Sequence, residues 1–473
     1  MLVILVGIAA LLLGFLVYSK ILERAIHPIR DSTPATTMGD GIDYVPMKRS
    51  KNLLIQFLNI AGTGPIFGAL MGAKWGPIVF LWIIVGTILG GAVHDYMAGM
   101  MSMRNEGSSI TRLITKYLGK NARYPILFLI IVLMIMASAT MGRSASDLLE
   151  ALTGIPMLFW VAVILCYFFA STILPIDKLI GRIYPFFGLL LLAMAAVIIA
   201  GLCISGCDFP SFTLENLHPS GDAYYPDMFI TVACGAISGF HATQSTMIAR
   251  CTTDEKDGRM IFYGAMIMES AIALIWATAG LAFYGSTGEL SAALADGGPA
   301  GVVYGISTGV AGTIGGVFAV IGVIVCPITS GDTALRSARL MVEDERGMHS
   351  RNRGAAMKIT LVLSVFVVAL CILDFTVLWQ YFSWLNQTLA CIVLWTATVF
   401  LLRTSCNRLY SLITALPALF MTMTTVTYII HAGQGLSLDY NTSLVIGAFV
   451  TLVAGMLYVR EFAKSGAEKH TEA

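Results

Sequence analysis

Asn59-Ile-Ala-Gly-Thr-Gly-Pro-Ile-Phe-Gly68 lies within an apolar run, Leu53 to Ala73, that is long enough to cross a bilayer. A continuous helix should avoid its centre. Gly62 and Gly64 loosen the backbone, and Pro65 removes one N–H and clashes with the preceding turn. In lipid, an opened backbone is tolerated only where it faces protein or a water-filled cavity. A stretch of the same character comes much later, Ala233-Cys-Gly-Ala-Ile-Ser-Gly-Phe-His-Ala-Thr-Gln244. Two interrupted hydrophobic segments at corresponding places in two halves point to a transporter's binding site. Residues 60–65 and 236–241 are therefore predicted to be unwound and to share one site.

The surrounding chain is that of an all-α polytopic membrane protein. Of 473 residues, 57% are hydrophobic and 12% charged, and the mean hydropathy is +0.80. A soluble domain carries about twice that charged fraction. The net charge of +1 gives no reason to expect a nucleic-acid partner. The nine cysteines show no CxxC or Cys/His metal spacing and read as apolar filler, with no metal or cofactor expected. HExxH and Walker A signatures are missing, which argues against a zinc protease or an ATP-driven pump, and no enzyme is expected.

Windows of about 20 residues give thirteen candidate transmembrane helices, near 2–19, 53–73, 77–103, 122–142, 157–174, 184–205, 227–249, 260–284, 311–335, 355–373, 376–402, 407–430 and 441–459. The glycine-rich 300–316 leaves the start of the ninth open. With the N-terminus outside and the C-terminus cytoplasmic, 27 of the 29 Lys and Arg residues fall in inner connections, and only Lys74 and Arg143 lie outside. The predicted organisation is an N-terminal helix (1–19), a cytoplasmic loop (20–52) and a first five-helix repeat (53–205). An outer loop (206–226), a second five-helix repeat (227–402) and two further helices with a short tail (403–473) follow. Five is odd, so the two interrupted helices enter from opposite sides and the repeats are inverted copies in topology.

Half-helix ends supply the chemistry of such folds: freed N–H groups suit anions, and freed carbonyls and hydroxyls suit cations. This places Gly62, Thr63, Gly64, Ser238, Gly239, His241 and Gln244 around a substrate site. The same glycines would also serve close helix packing. Asn386 and Gln387 lie deep in the eleventh span and need partners, either helices or substrate. Ionisable groups at membrane depth are costly and functional by default. His94, Asp95, Glu269 and Asp332, the last with Thr329 and Ser330, are the candidates for ion coupling, with H⁺ or Na⁺ as the ion. Glu269 is nearest mid-membrane and suits a group that binds and releases a proton. Oxygen ligands of the Thr329–Asp332 kind suit Na⁺ or protons better than transition metals.

At these motifs the sequence resembles the carbon starvation protein A (CstA) family of bacterial transporters. The resemblance rests on Asp40-Gly-Ile-Asp-Tyr-Val-Pro46, Ile60-Ala-Gly-Thr-Gly-Pro65, Gly90-Gly-Ala-Val-His-Asp95, Ser238-Gly-Phe-His-Ala-Thr-Gln244, Ser330-Gly-Asp-Thr-Ala-Leu-Arg-Ser-Ala-Arg339 and Trp384-Leu-Asn-Gln-Thr-Leu-Ala390. It implies uptake of peptides or small carboxylates such as pyruvate during nutrient limitation, driven by an ion gradient across the inner membrane. It also implies the inverted-repeat fold of the amino acid–polyamine–organocation superfamily. The sequence departs from the family in two places. Longer members carry a C-terminal extension beyond the residues seen here, and a His-His pair of the first broken helix reads Ile55-Gln56, so proton coupling through that pair does not carry over. An amino-acid transporter of the same fold and a membrane nutrient sensor are the alternatives, and oligomeric state is silent.

Overall fold

Every regular element in the computed structural model is helical. It describes residues 2–29, 33–41, 43–173, 176–346 and 353–471. The expected inner connections near 175 and 350 lie partly outside the described residues. Among the described residues, ten helices are long and apolar enough to cross a membrane, eleven when the bent pair Arg49–Ile60 and Gly64–Trp75 is taken as one span. Two of the thirteen expected spans fall short of that standard. Met157–Ile173 has only 17 residues, and 227–249 is divided into Asp227–Thr231 and Phe240–Ala249.

Burial separates a core from a periphery. In their apolar 18-residue windows, Glu255–Tyr284 has 83% of residues buried, while Tyr440–Ser465 has 11% and Leu2–Ile26 28%. The first and last helices thus flank the bundle, and their exposed Leu and Val side chains suit a lipid solvent.

The first break is short. Arg49–Ile60 ends at Ala61 (ψ 66°), and the helix resumes at Gly64 after a 56° bend. Pro65 sits in the first turn of the new helix, where its missing N–H is one the helix would leave unpaired anyway. The unwound residues are therefore 61–63, fewer than the 60–65 predicted. The second break covers 232–239 rather than 236–241, so Phe240 and His241 are already helical.

The glycine-rich region resolves differently from expectation. Helix runs from Thr287 to Glu345 but is divided at Gly298 (φ 61°) and Gly312 (φ 65°), which L-residues with a Cβ rarely tolerate. The expected span 311–335 corresponds to the last part, and 287–311 forms two further helical pieces before it. These pieces pack on the Lys-poor face of the bundle, where Thr287 Oγ1 donates to the Leu217 carbonyl at 2.7 Å. On the same face Trp75 Nε1 donates to the carbonyls of Asp222 and Ala223, and His218 stacks on the Trp75 ring at 4.6 Å.

The opposite, basic face is tied together by arginines. Arg104 pairs with Glu255 at 3.0 Å and donates to the His27 carbonyl, Arg250 Nε donates to Gly107 O at 2.8 Å, and Arg123 pairs with Glu345 at 2.7 Å. A two-residue parallel bridge, Met47 with Thr252, joins the N-terminal loop to the 250–254 connection.

Candidate functional site

The second break leaves backbone groups open in a buried environment, and each needs a partner. Asn386, from helix Phe375–Thr404, supplies several. Its Oδ1 accepts the Phe240 N–H at 2.7 Å, which caps the resumed helix and explains why Phe240 and His241 are helical. Its backbone carbonyl accepts the Gly239 N–H at 3.1 Å, and its Nδ2 donates to Ser238 Oγ at 3.0 Å. Gln387 Nε2 donates to the Phe229 carbonyl, while its Oε1 has no protein partner. The hydrogen bonds of Asn386 therefore go to the break itself.

The two breaks touch. A Cβ built on Gly64 would lie 2.0 Å from Cys234 Cβ, and one built on Gly235 would lie 3.7 Å from Pro65 Cα. Gly62 is less tight, a Cβ there lying 2.8 Å from the end of the Met141 side chain, whose sulfur accepts from both the N–H and the hydroxyl of Thr63 at 3.3 and 3.1 Å. Gly239 fits against Ala390 N and Asn386 O, so the predicted glycines are positions of close backbone approach.

His241 is drawn away from the other expected substrate residues and into a chain of ionisable groups. Asp95 bridges two imidazoles, with Oδ1 2.8 Å from His94 Nδ1 and Oδ2 3.1 Å from His241 Nδ1. The far nitrogen of His241, Nε2, stands 3.5 Å from Glu269 Oε2. That is close enough for charge attraction but too long for a good hydrogen bond, so both atoms are without one. All four side chains are fully buried. With Asp95 ionised, each histidine carries its proton on Nδ1, which leaves His241 Nε2 as the acceptor facing Glu269. Three helices contribute: Ala92–Met103, Phe240–Ala249 and Gly264–Tyr284.

The hydroxyls expected near the ion are split. Thr329 Oγ1 donates to Leu58 O at 3.0 Å and Ser330 Oγ to Asn59 O at 3.0 Å, both carbonyls at the end of the first half-helix. Asp332 faces elsewhere and accepts from Tyr167, Ser171 and Tyr184 at 3.1, 2.7 and 3.1 Å. Gln244 Nε2 reaches Thr243 and Ser337, and its Oε1 is unpaired.

Several residues of the site were not singled out as site residues from the sequence. Gln56 Nε2 donates to Ser245 Oγ at 3.0 Å, which links the two broken segments, and a glutamine in an apolar run was the only clue. Thr87 and Ser270 share a 2.6 Å hydroxyl contact beside Gly235 O, and hydroxyls in apolar helices are too common to flag.

The family profile "Carbon starvation protein CstA" matches residues 1–155, 143–295 and 282–428. An uncharacterized membrane protein of Haemophilus influenzae is 39% identical over 347 residues, 61% of this chain and 93% of that protein. The peptide transporter CstA of Mycobacterium tuberculosis is 28% identical over 337 residues, 56% of this chain and 44% of the transporter. The pyruvate/proton symporter BtsT of Escherichia coli is 26% identical over 342 residues, 58% of this chain and 48% of the symporter. The chain thus spans less than half the length of these two transporters. Among solved structures, the Eremococcus coleocola manganese transporter superposes with a TM-score of 0.55 at 12% identity, covering 92% of this chain and 99% of its own. MhsT in complex with L-phenylalanine gives 0.53 at 14% identity, with 88% and 99% covered. Likeness at such identities is one of fold alone. With transporters among its named relatives and its profile matched almost throughout, this multi-pass membrane chain belongs to the carbon starvation protein CstA family.

Proposed function

We propose that the chain is a secondary-active uptake transporter for peptides or small carboxylates such as pyruvate, used under nutrient limitation and driven by a proton gradient. The observation that carries this reading is the buried chain His94–Asp95–His241–Glu269, which ends in a carboxylate beside the second break. Ionisable groups at such depth are retained for function. A symporter needs a group whose exposure changes as access alternates, and Glu269 is placed for that role. The substrate would sit where the two breaks meet, near Thr63, Ser238 and Gln244.

The same reading takes the fold as thirteen crossings, the eleven counted by length plus 157–173 and 227–249. Residues 53–205 and 227–402 are then inverted five-helix repeats, with the N-terminus outside and the basic face cytoplasmic. The support is the placement of 27 of 29 basic residues and the likeness in fold to the transporters above. Reporters fused after Asp222 and after Lys256 should mark opposite sides, and a same-side result would end the inverted arrangement.

The coupling test is accumulation in proteoliposomes under an imposed pH gradient. Glu269→Gln keeps shape but cannot titrate, and it should lose accumulation while substrate exchange persists. Normal accumulation by that variant would make Glu269 structural. Sodium is the second reading, favoured by the hydroxyls of Thr329 and Ser330 on the Leu58 and Asn59 carbonyls, an oxygen set suited to a hard cation. Uptake that follows a sodium gradient and is abolished in Thr329→Val would choose it.

A further inference from the structure

Lys74 and Arg143, the two basic residues that fall outside the basic face, line one cavity of about 610 Å³ on the Lys-poor face. Charge bias in membrane proteins keeps such residues off this face, so two of them on one cavity call for a use. The cavity lies between the resumed half of the first broken segment, helix Arg123–Thr153, the Gly297–Gly301 turn and the start of helix Phe375–Thr404. Phe67, three residues beyond Gly64, forms part of its wall and packs edge-on against Phe375 at 5.8 Å. The cavity is therefore separated from the touching breaks by an aromatic pair.

The two cations are held in ways that leave them able to bind. Arg143 is fixed by its other nitrogens: Nε donates to Asp147 at 2.8 Å, and Nη1 donates to the carbonyls of Cys371 and Leu373 at 3.0 Å. Its Nη2 donates to no protein group among the described residues. Lys74 makes no ion pair among the described residues; its Nζ lies 5.6 Å from the Trp75 ring, and the Asp222 carboxylate attracts it from outside the cavity lining. The acids on these walls do not neutralise it. Asp147 is paired with Arg143, Asp374 caps its helix through the N–H groups of Thr376 and Val377, and Glu150 stands exposed. A preorganised guanidinium edge and an unpaired ammonium facing one water-accessible space form a carboxylate site.

We infer that this cavity is a waiting site, where Lys74 and Arg143 Nη2 hold the carboxylate of an incoming substrate before the breaks part. The inference rests on the transport reading and on this face being outer. Both proposed substrates, a keto acid and a peptide, carry the carboxylate, so the test uses pyruvate and dialanine in parallel. In proteoliposomes, Lys74→Gln should raise the KM of uptake about tenfold, the value of one lost charged hydrogen bond, with maximal rate within about twofold and recovery in Lys74→Arg. A rise for both compounds, or for only one, supports the site and names its source. An unchanged KM for both overturns it. If the native protein takes up neither compound, the transport reading fails, and calorimetric binding of both to the purified protein decides the inference alone. Saturable binding weakened about tenfold in Lys74→Gln upholds it, and absent or unaltered binding overturns it.

Discussion

Gly64 meets Cys234 so closely that a Cβ on the glycine would lie 2.0 Å from the cysteine Cβ and 2.6 Å from its sulfur. No rotamer change relieves a clash with a Cβ, so one of the two unwound segments would have to move. The Cys234 thiol is engaged with Ser238 Oγ and Asn386 Nδ2 at 3.6 and 3.5 Å, and its contact with Gly64 is a matter of space.

Gly64→Ala is expected to cut uptake at least about tenfold, through overpacking of about 1–3 kcal/mol at the junction. Cys234→Gly in the same chain removes the opposing Cβ and should restore part of the activity, whereas Cys234→Ala should not. Gly433→Ala, with nothing within 4 Å, should be silent. Initial uptake rates of the four variants, normalised to protein in the membrane, check the order.

Asp95→Asn should damage both histidines at once. The carboxylate gives each Nδ1–H an acceptor oxygen, and an amide has only one. One imidazole must change tautomer or lose its bond, at about 1–3 kcal/mol for a buried group. Gradient-driven uptake is expected to fall about 10- to 100-fold and its pH profile to shift. An unchanged profile would remove Asp95 from the coupling path.

Asn386→Ala separates support of the break from contact with substrate. Loss of the cap on Phe240 N–H and of the Ser238 bonds should cost about 1–3 kcal/mol and lower the Tm of the detergent-purified protein by several degrees. A residue that only touched substrate would raise KM and leave Tm in place.

The Lys-poor face carries a pH response of its own at His218. Burial holds this imidazole below its usual value of 6.5, the Lys74 ammonium adds to the effect, and Asp222 opposes it. The folded loop therefore binds fewer protons than the opened loop, and its stability is lost as pH falls below 6.5 towards the lowered value. Amide exchange across 215–222, corrected for intrinsic rate, should accelerate on acidification in that range. His218→Gln should flatten the response.

The first break was legible because Gly62, Gly64 and Pro65 act on their own turn. The limits of the second were not, because Asn386 sets them from 146 residues away by capping Phe240. The helical pieces in 287–311 were hidden for a similar reason. They are short pieces divided at Gly298 and Gly312, so a search for apolar length passes over them. Each ionisable candidate could be found singly from its depth in an apolar span. That His241 belongs with Asp95 and Glu269 rather than with Ser238 depends on how three helices are rotated about their axes, and no local pattern records that. The meeting of Lys74 and Arg143 at one cavity was likewise beyond a count of charges.

The 3.5 Å between His241 Nε2 and Glu269 also has a bioenergetic meaning. A relay bonded from end to end would let protons run down the gradient with no cargo, and the membrane potential would be drained by slip. On the proposed proton-coupled reading, that one missing contact would act as insulation at the step nearest the breaks. If substrate draws these two groups together by half an ångström, conduction becomes conditional on cargo. The stoichiometry of the transporter would then be enforced by a distance and would need no separate gate.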